Sequence, residues 1–244
     1  MAGPVLDVKD GRTNMNATRL IAVLALAVTP LAASGKEAVN RLDEAATVFS
    51  EVMATPDHGI PQELLEKAHC IVIVPGVKKA AFIVGGKYGK GYLFCRKASG
   101  AGWSAPGTIR MEGGSFGFQI GASETDVIML VMNSGGRNHL LSSKFTLGGE
   151  ASVAAGPVGR SASAETDAQM NAEILTWSRS KGLFAGLSLA GATLREDLDD
   201  NQTLYGKRLE NRVIVTTNVR APRSAARILG MLNRHSAARE RKAD

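Results

Sequence analysis

The chain has 244 residues, 44% hydrophobic and 21% charged, with 29 Lys and Arg against 23 Asp and Glu for a formal charge of +6. This composition supports a sizeable core and excludes bulk disorder, and with no linker-like run across its middle a single domain is expected. The charge is concentrated: residues 207–244 hold ten Lys or Arg and three acidic residues, and no aromatic residue interleaves with them, which argues against a stacking platform for nucleic acid.

In chain order, Met15–Gly35 (MNATRLIAVLALAVTPLAASG) has one positive charge, an apolar run from Leu20 to Val28, a proline and then small residues. That is the pattern of a secretory signal peptide, with Met15 giving a tidier start than Met1 and Ala32 and Ser34 at the small positions before a cut. The apolar run is too short to span a bilayer. Leu31-Ala32-Ala33-Ser34 is a lipobox in which serine stands for cysteine, so a soluble exported protein, periplasmic or secreted, is expected rather than a lipoprotein. The expected divisions are a signal over 1–34, one domain over 36–235 and a loose basic tail over 236–244.

Lys36–Ala54 places Val39, Leu42, Ala46, Phe49 and Met53 at helical spacing, and Pro61–Ala68 predicts a second short helix. Strand patterns then dominate: Cys70–Val74, Ala80–Val84, Gly89–Lys97, Gly102–Ser104, Thr108–Ile120, Val127–Asn133, Phe145–Ala155, Gln169–Ser178 and Leu183–Ala192. Val127–Met132 is apolar without alternation, as in a strand covered on both faces. From Ile109 to Gly121, by contrast, Phe116, Phe118 and Ile120 alternate with Gly113, Ser115, Gly117, Gln119 and Gly121. Ala151–Val158 and Leu183–Ala192 repeat this bare-sided pattern. It fits either close packing with a strong sheet bend or a groove for an acyl chain or other ligand. Ala221–His235 predicts a last helix with Arg223, Arg227 and Arg234 on one face, opposite Ala225, Ile228, Leu229 and Leu232. The fold class is α+β: a twisted, mostly antiparallel, partly barrel-like sheet covered by helices from both chain ends.

Gly113-Gly114-Ser115-Phe116-Gly117 spells G-x-S-x-G, but a nucleophile elbow needs a helix directly after the serine and here strand alternation continues, so no catalytic residue is assigned. Gly85-Gly86-Lys87-Tyr88-Gly89-Lys90-Gly91 lacks P-loop spacing and reads as a tight hairpin, or as a basic loop meeting lipid phosphates together with Lys78 and Lys79; the two readings are compatible. Thr125-Asp126 reads as a strand-entry hydrogen-bonding pair. Glu150, Glu165 and Asp167 have no calcium-loop spacing, and His58, His69, His139 and His235 have no ligand spacing, so no metal or cofactor is expected. Cys70 and Cys95, the two cysteines, both sit in apolar strand-like runs; a disulfide and buried thiols are both open.

The succession FIVGGKYGKGYL (82–93), GWSAP (102–106), GSFGFQIGASETDVIMLVMN (114–133), LGGEASVAAGPVGR (147–160) and SRSKGLFAGLSLAGA (178–192) resembles the SYLF domain, in order and spacing over Lys36–Arg220. The resemblance implies a lipid-binding module rather than an enzyme. Eukaryotic members are membrane-trafficking adaptors that bind phosphoinositides, some also binding and bundling actin, often beside a Src-homology-3 or FYVE module. Neither module pattern stands in this chain, so a stand-alone bacterial member is expected, for which actin does not fit as a partner and an anionic lipid such as phosphatidylglycerol or cardiolipin does. An amphipathic N-terminal helix aids membrane contact in those relatives; the matching segment, Lys36–Ala54, has four acidic and two basic residues, a balance that does not favour anionic membranes. The expected head-group residues are Lys78, Lys79, Lys87 and Lys90, then Arg179 and Lys181. The alternative is an envelope structural or protein-interaction module.

Overall fold

A computed structural model describes residues 29–55, 59–82, 84–116, 121–157, 171–180, 183–186 and 189–236, with side chains described except at 29–34, 80–82, 84, 115–116, 121–122 and 183–186. The leader-like segment up to residue 28, Lys181 and the tail after Ser236 lie outside them.

Helix α1 spans Thr29–Met53 and α2 spans Gln62–Lys67. Nine strands follow or interleave: β1 Cys70–Phe82, β2 Val84–Cys95, β3 Gly107–Phe116, β4 Gly121–Val131, β5 Lys144–Thr146, β6 Val153–Ala155, β7 Ile174–Ser180, β8 Leu183–Gly186 and β9 Thr193–Glu196. The remaining helices are α3 Ser134–Leu140, α4 Leu198–Tyr205, α5 Asn211–Thr216 and, after a 3-10 turn at Arg223–Ala225, α6 Ala226–His235.

The strands form one sheet in the order β5-β9-β3-β2-β1-β4-β7-β6, and β8 pairs with β7. Apart from the parallel β6–β7 pair, the ladders are antiparallel. β5 and β6 stand at opposite ends of this order, yet only residues 147–152 separate them in the chain, so the sheet must curl until its two edges meet. Leu147 bridges Ala151 and also receives the Gly191 N–H at that seam. The result is the expected α+β half-barrel.

Alternation along the strands feeds two cores. Ile71, Ile73, Tyr92, Phe94, Ile128, Leu130, Leu175 and Trp177 point to the face covered by α1, α2 and α6. Their neighbours Cys70, Val72, Val74, Leu93, Cys95, Val127, Met129, Val131 and Ile174 fill the inside of the curl, closed by α3, α5 and β9. β4 lies between β1 and β7 and is buried on both faces, as its unbroken apolar run requires. The buried stripe of α1 is Ala38, Leu42, Ala45, Ala46, Phe49 and Val52. Leu42, Ala46 and Phe49 lie in it as expected, while Val39 is 39% exposed and Met53 half-buried, with Ala38 and Val52 buried beside them. Buried Arg96 ties the chain end down: its guanidinium donates to the carbonyls of Leu65, Ala68 and Ser236 and lies 4.0 Å from the ring centre of Trp103.

Several expectations change. The glycine run at 85–91 is not a turn: it lies within β2, and the connection falls between Phe82 and Val84. β1 continues through Lys78 and Lys79 where two strands were expected, because a bulge at Pro75–Gly76 absorbs the break and lets pairing resume with both neighbours. The single strand expected over Phe145–Ala155 is two short ones, and Gly102–Ser104 contributes only the Arg96–Trp103 bridge. α3, β9, α4 and α5 were not expected; α3 and α4 begin on Asn133 and Asp197 side-chain caps.

Neighbouring chain fills the space beside Gly89, Gly91 and Gly156, whereas Gly86 and Gly114 stand open. A Cβ on Gly91 would lie 2.2 Å from the Ile73 carbonyl oxygen, one on Gly89 2.9 Å from Val74 and Val77, and one on Gly156 2.0 Å from the Trp177 ring. The Cys70 and Cys95 thiols are joined in a disulfide, which the β1–β2 register allows by placing the two residues opposite each other.

Candidate functional site

The bulge determines where the lysines go. Gly76 adopts φ 56°, and its N–H donates to Asp126 Oδ1 at 2.9 Å. The turn requires glycine for this backbone angle, whereas the exposed Glu124 carboxylate, 2.6 Å from where a Cβ would stand, can swing aside. The extra residue reverses the alternation of β1. Lys79 now shares the inner face with Val72 and Val74, and Lys78 the helix-side face with Ile71 and Ile73.

Lys79 is directly opposite Lys87 of β2, and Lys87 is opposite Gly113 of β3. Both lysines are half-buried on the inner face near the open end of the curl. A Cβ on Gly113 would make ordinary contacts, 3.6 Å from Lys87 Cε and 3.4 Å from Ala192, so Lys87 packs beside this position. Neither lysine makes an ion pair among the described residues. Burial, and then the charge of Lys79, push the Lys87 ammonium below the usual lysine value. On the other face Lys78 is exposed, with Tyr88 opposite it on β2 and Glu124 opposite it on β4.

Lys90 is placed differently. It faces the helix side, opposite Arg110, and this second like-charge pair is neutralised: Lys90 Nζ lies 2.8 Å from Asp197 and 3.0 Å from Asp200, and Arg110 3.5 Å from Asp197. Arg41 of α1 completes the cluster at 2.7 Å from Asp200. Burial opposes both charges, but hydrogen bonds and attraction from the two carboxylates carry Lys90 above its ordinary value. The same contacts, with a backbone N–H and Arg110, hold Asp197 below the usual carboxylate range despite burial. Arg179 is likewise matched, donating to Asp126 Oδ2 at 2.7 and 2.9 Å and pairing with Glu51 of α1. Of the six expected head-group residues, then, Lys79 and Lys87 meet on one face, Lys78 stands behind them, Lys90 and Arg179 are matched within the fold, and Lys181 lies outside the described residues.

The elbow-like Ser115 lies in β3, and the next described element is β4, not a helix. Among the described residues no group of three His, Cys, Asp or Glu could hold a metal ion, and Glu150 accepts the Thr146 N–H. No described helix is long and apolar enough to cross a membrane.

The described fold is thus a helix-covered half-barrel with a cationic pair, unmatched among the described residues, on its inner face. Residues 112–235 match the family model Ysc84, described as Las17-binding protein actin regulator, and the chain belongs to this SYLF family. It is 35% identical to protein YSC84 of Saccharomyces cerevisiae over 72% of its own length and 38% of that protein's. To LAS seventeen-binding protein 3 of the same species it is 34% identical over 68% of its length and 36% of the relative's. To the SH3 domain-containing YSC84-like protein 1 of Rattus norvegicus it is 31% identical over 84% and 60%. The chain thus spans between about a third and three fifths of these curated relatives.

Proposed function

We propose that the chain is a membrane-surface module that recognises anionic phospholipid head groups through Lys79 and Lys87, with Lys78 assisting from the opposite face. The observation that carries this reading is the contrast between two like-charge cross-strand pairs. Lys90 and Arg110 are matched by two aspartates, whereas Lys79 and Lys87 are matched by no described residue. Like charges placed directly opposite in a sheet cost stability. A phosphate between them removes that cost and gains two charge-assisted contacts, each worth about 1 kcal/mol at a membrane surface. Lys181 remains a candidate contact within this reading. With Met15–Gly35 acting as an export signal, the encountered lipids are of the phosphatidylglycerol or cardiolipin kind.

The test is flotation of residues 35–244 with neutral and anionic vesicles at low and high salt. Binding to anionic vesicles alone, lost at high salt as the Debye length shrinks, is expected. K79A/K87A should weaken it about thirtyfold, the sum of two contacts of about 1 kcal/mol each, without lowering thermal stability. Unchanged binding by the double variant overturns the site.

The family description favours a second reading, a protein partner of the actin-regulating kind. Co-sedimentation with actin filaments in the absence of lipid distinguishes the two. Pelleting with filaments and no flotation with any vesicle would transfer the site to a protein partner.

A further inference from the structure

Two cross-sheet rows bound one end of the molecule. Glu112, Tyr88, Lys78 and Glu124 stand in register across β3, β2, β1 and β4, and the next row outward is Gly113, Lys87, Lys79 and Ser123. Beyond that row the described strand ends are uncharged in a chain that is 21% charged: residues 80–82 and 84–86 read AAF and VGG, and 114–116 and 121–122 read GSF and GA. Charge thus stops at one level on four adjacent strands drawn from two stretches of the chain, 70–95 and 107–131, which a reading of any one strand does not reveal. At that level Tyr88 is 47% exposed, one of three large hydrophobic residues exposed among the described residues. Gly86 and Gly114 are paired across β2 and β3, and a Cβ on either would meet nothing within 4 Å.

Resting on the head-group reading above, we propose that this end of the sheet enters the interfacial layer of an anionic bilayer, with Lys79 and Lys87 on the phosphates, Tyr88 at head-group level and the uncharged strand ends beneath them. Tyrosine favours this boundary because its ring is apolar and its hydroxyl polar. Three residues separate Lys79 from Phe82, about 10 Å of strand, which suits shallow immersion and falls far short of the roughly 30 Å needed to span. On β1 and β2 the strand ends stay in ladders, Ala81 with Gly85 and Gly121 and Val84 with Phe82 and Phe116, whereas among the described residues the ends of β3 and β4 pair on their inner sides alone, which suits the hydrated interfacial layer and not the hydrocarbon beneath it. The bilayer is the occupant the charges select, since Lys79 and Lys87 form the outermost charged row, ahead of Glu112 and Glu124, and the strand ends beyond it carry no charge.

Gly114→Trp, with Gly86→Trp as a duplicate, supplies a reporter in open space. The native Trp103 and Trp177 are buried and give a constant background. With phosphatidylglycerol vesicles carrying brominated acyl chains, emission of the new tryptophan should shift to the blue and be quenched, with neither change on phosphatidylcholine vesicles. G86D/G114D, folded as judged by circular dichroism, should lose at least tenfold in vesicle affinity. If the unmutated chain floats with anionic vesicles while both reporters stay unquenched and the aspartate variant floats equally well, immersion is overturned and head-group recognition stands. If the unmutated chain does not float, both are overturned.

Discussion

Lys87 and Lys90 lie three residues apart on β2 and therefore on opposite faces, where their charges meet opposite surroundings. Lys90→Met should cost about 3 kcal/mol in urea unfolding, because Asp197 and Asp200 would be left with fewer cations, while vesicle flotation stays intact. Asp197 has a lowered folded-state pKa, so its contribution is full above the ordinary aspartate value and is lost as pH falls through the folded value. Lys90 has a raised one, so its contribution is full below the ordinary lysine value and is lost as pH rises through the folded value. Urea midpoints across pH should fall at both extremes, and less in Lys90→Met. Lys87 has the reverse sign: its charge opposes folding until pH rises through its lowered pKa, and that rise also removes the cation from the site. Lys87→Arg, which stays charged, should hold anionic vesicles to higher pH in flotation.

Among the elements, the β1–β2 hairpin positions the site, and its bend rests on glycines pressed against β1. Gly91→Ala would drive a methyl into the Ile73 carbonyl and the Val74 backbone, and a loss of about 3 kcal/mol is expected from thermal or urea unfolding. Gly114→Ala, with open space around it, should change stability by less than about 1 kcal/mol. The pair separates glycines that the strand needs from glycines that leave a surface bare. In the sequence both kinds look alike, since a lacking side chain does not say what approaches it.

For the whole molecule, the disulfide closes a 25-residue separation between β1 and β2, and both cysteines are fully buried. Cys70→Ser/Cys95→Ser should lower unfolding free energy by about 3 kcal/mol. The bond in the intact protein should react with dithiothreitol only as fast as the sheet opens, which a thiol assay alongside unfolding kinetics can follow. The lysine pair lies toward the other end of the same hairpin, so flotation by the serine variant, measured well below its melting temperature, should equal that of the unmutated chain.

The sequence by itself determined the α+β class, the family, the doubly buried β4 and the two helices packed from the chain ends, because periodicity and composition are local properties. It also brought Lys79 and Lys87 into the candidate set. Only the tertiary structure decided that these two face each other, that Lys90 and Arg179 are matched by Asp197, Asp200, Asp126 and Glu51, and that Cys70 meets Cys95. The physical reason is the two-residue period of a strand: one bulge at Pro75–Gly76 exchanges the faces of Lys78 and Lys79, and the carboxylates that match Lys90 arrive from more than one hundred residues away.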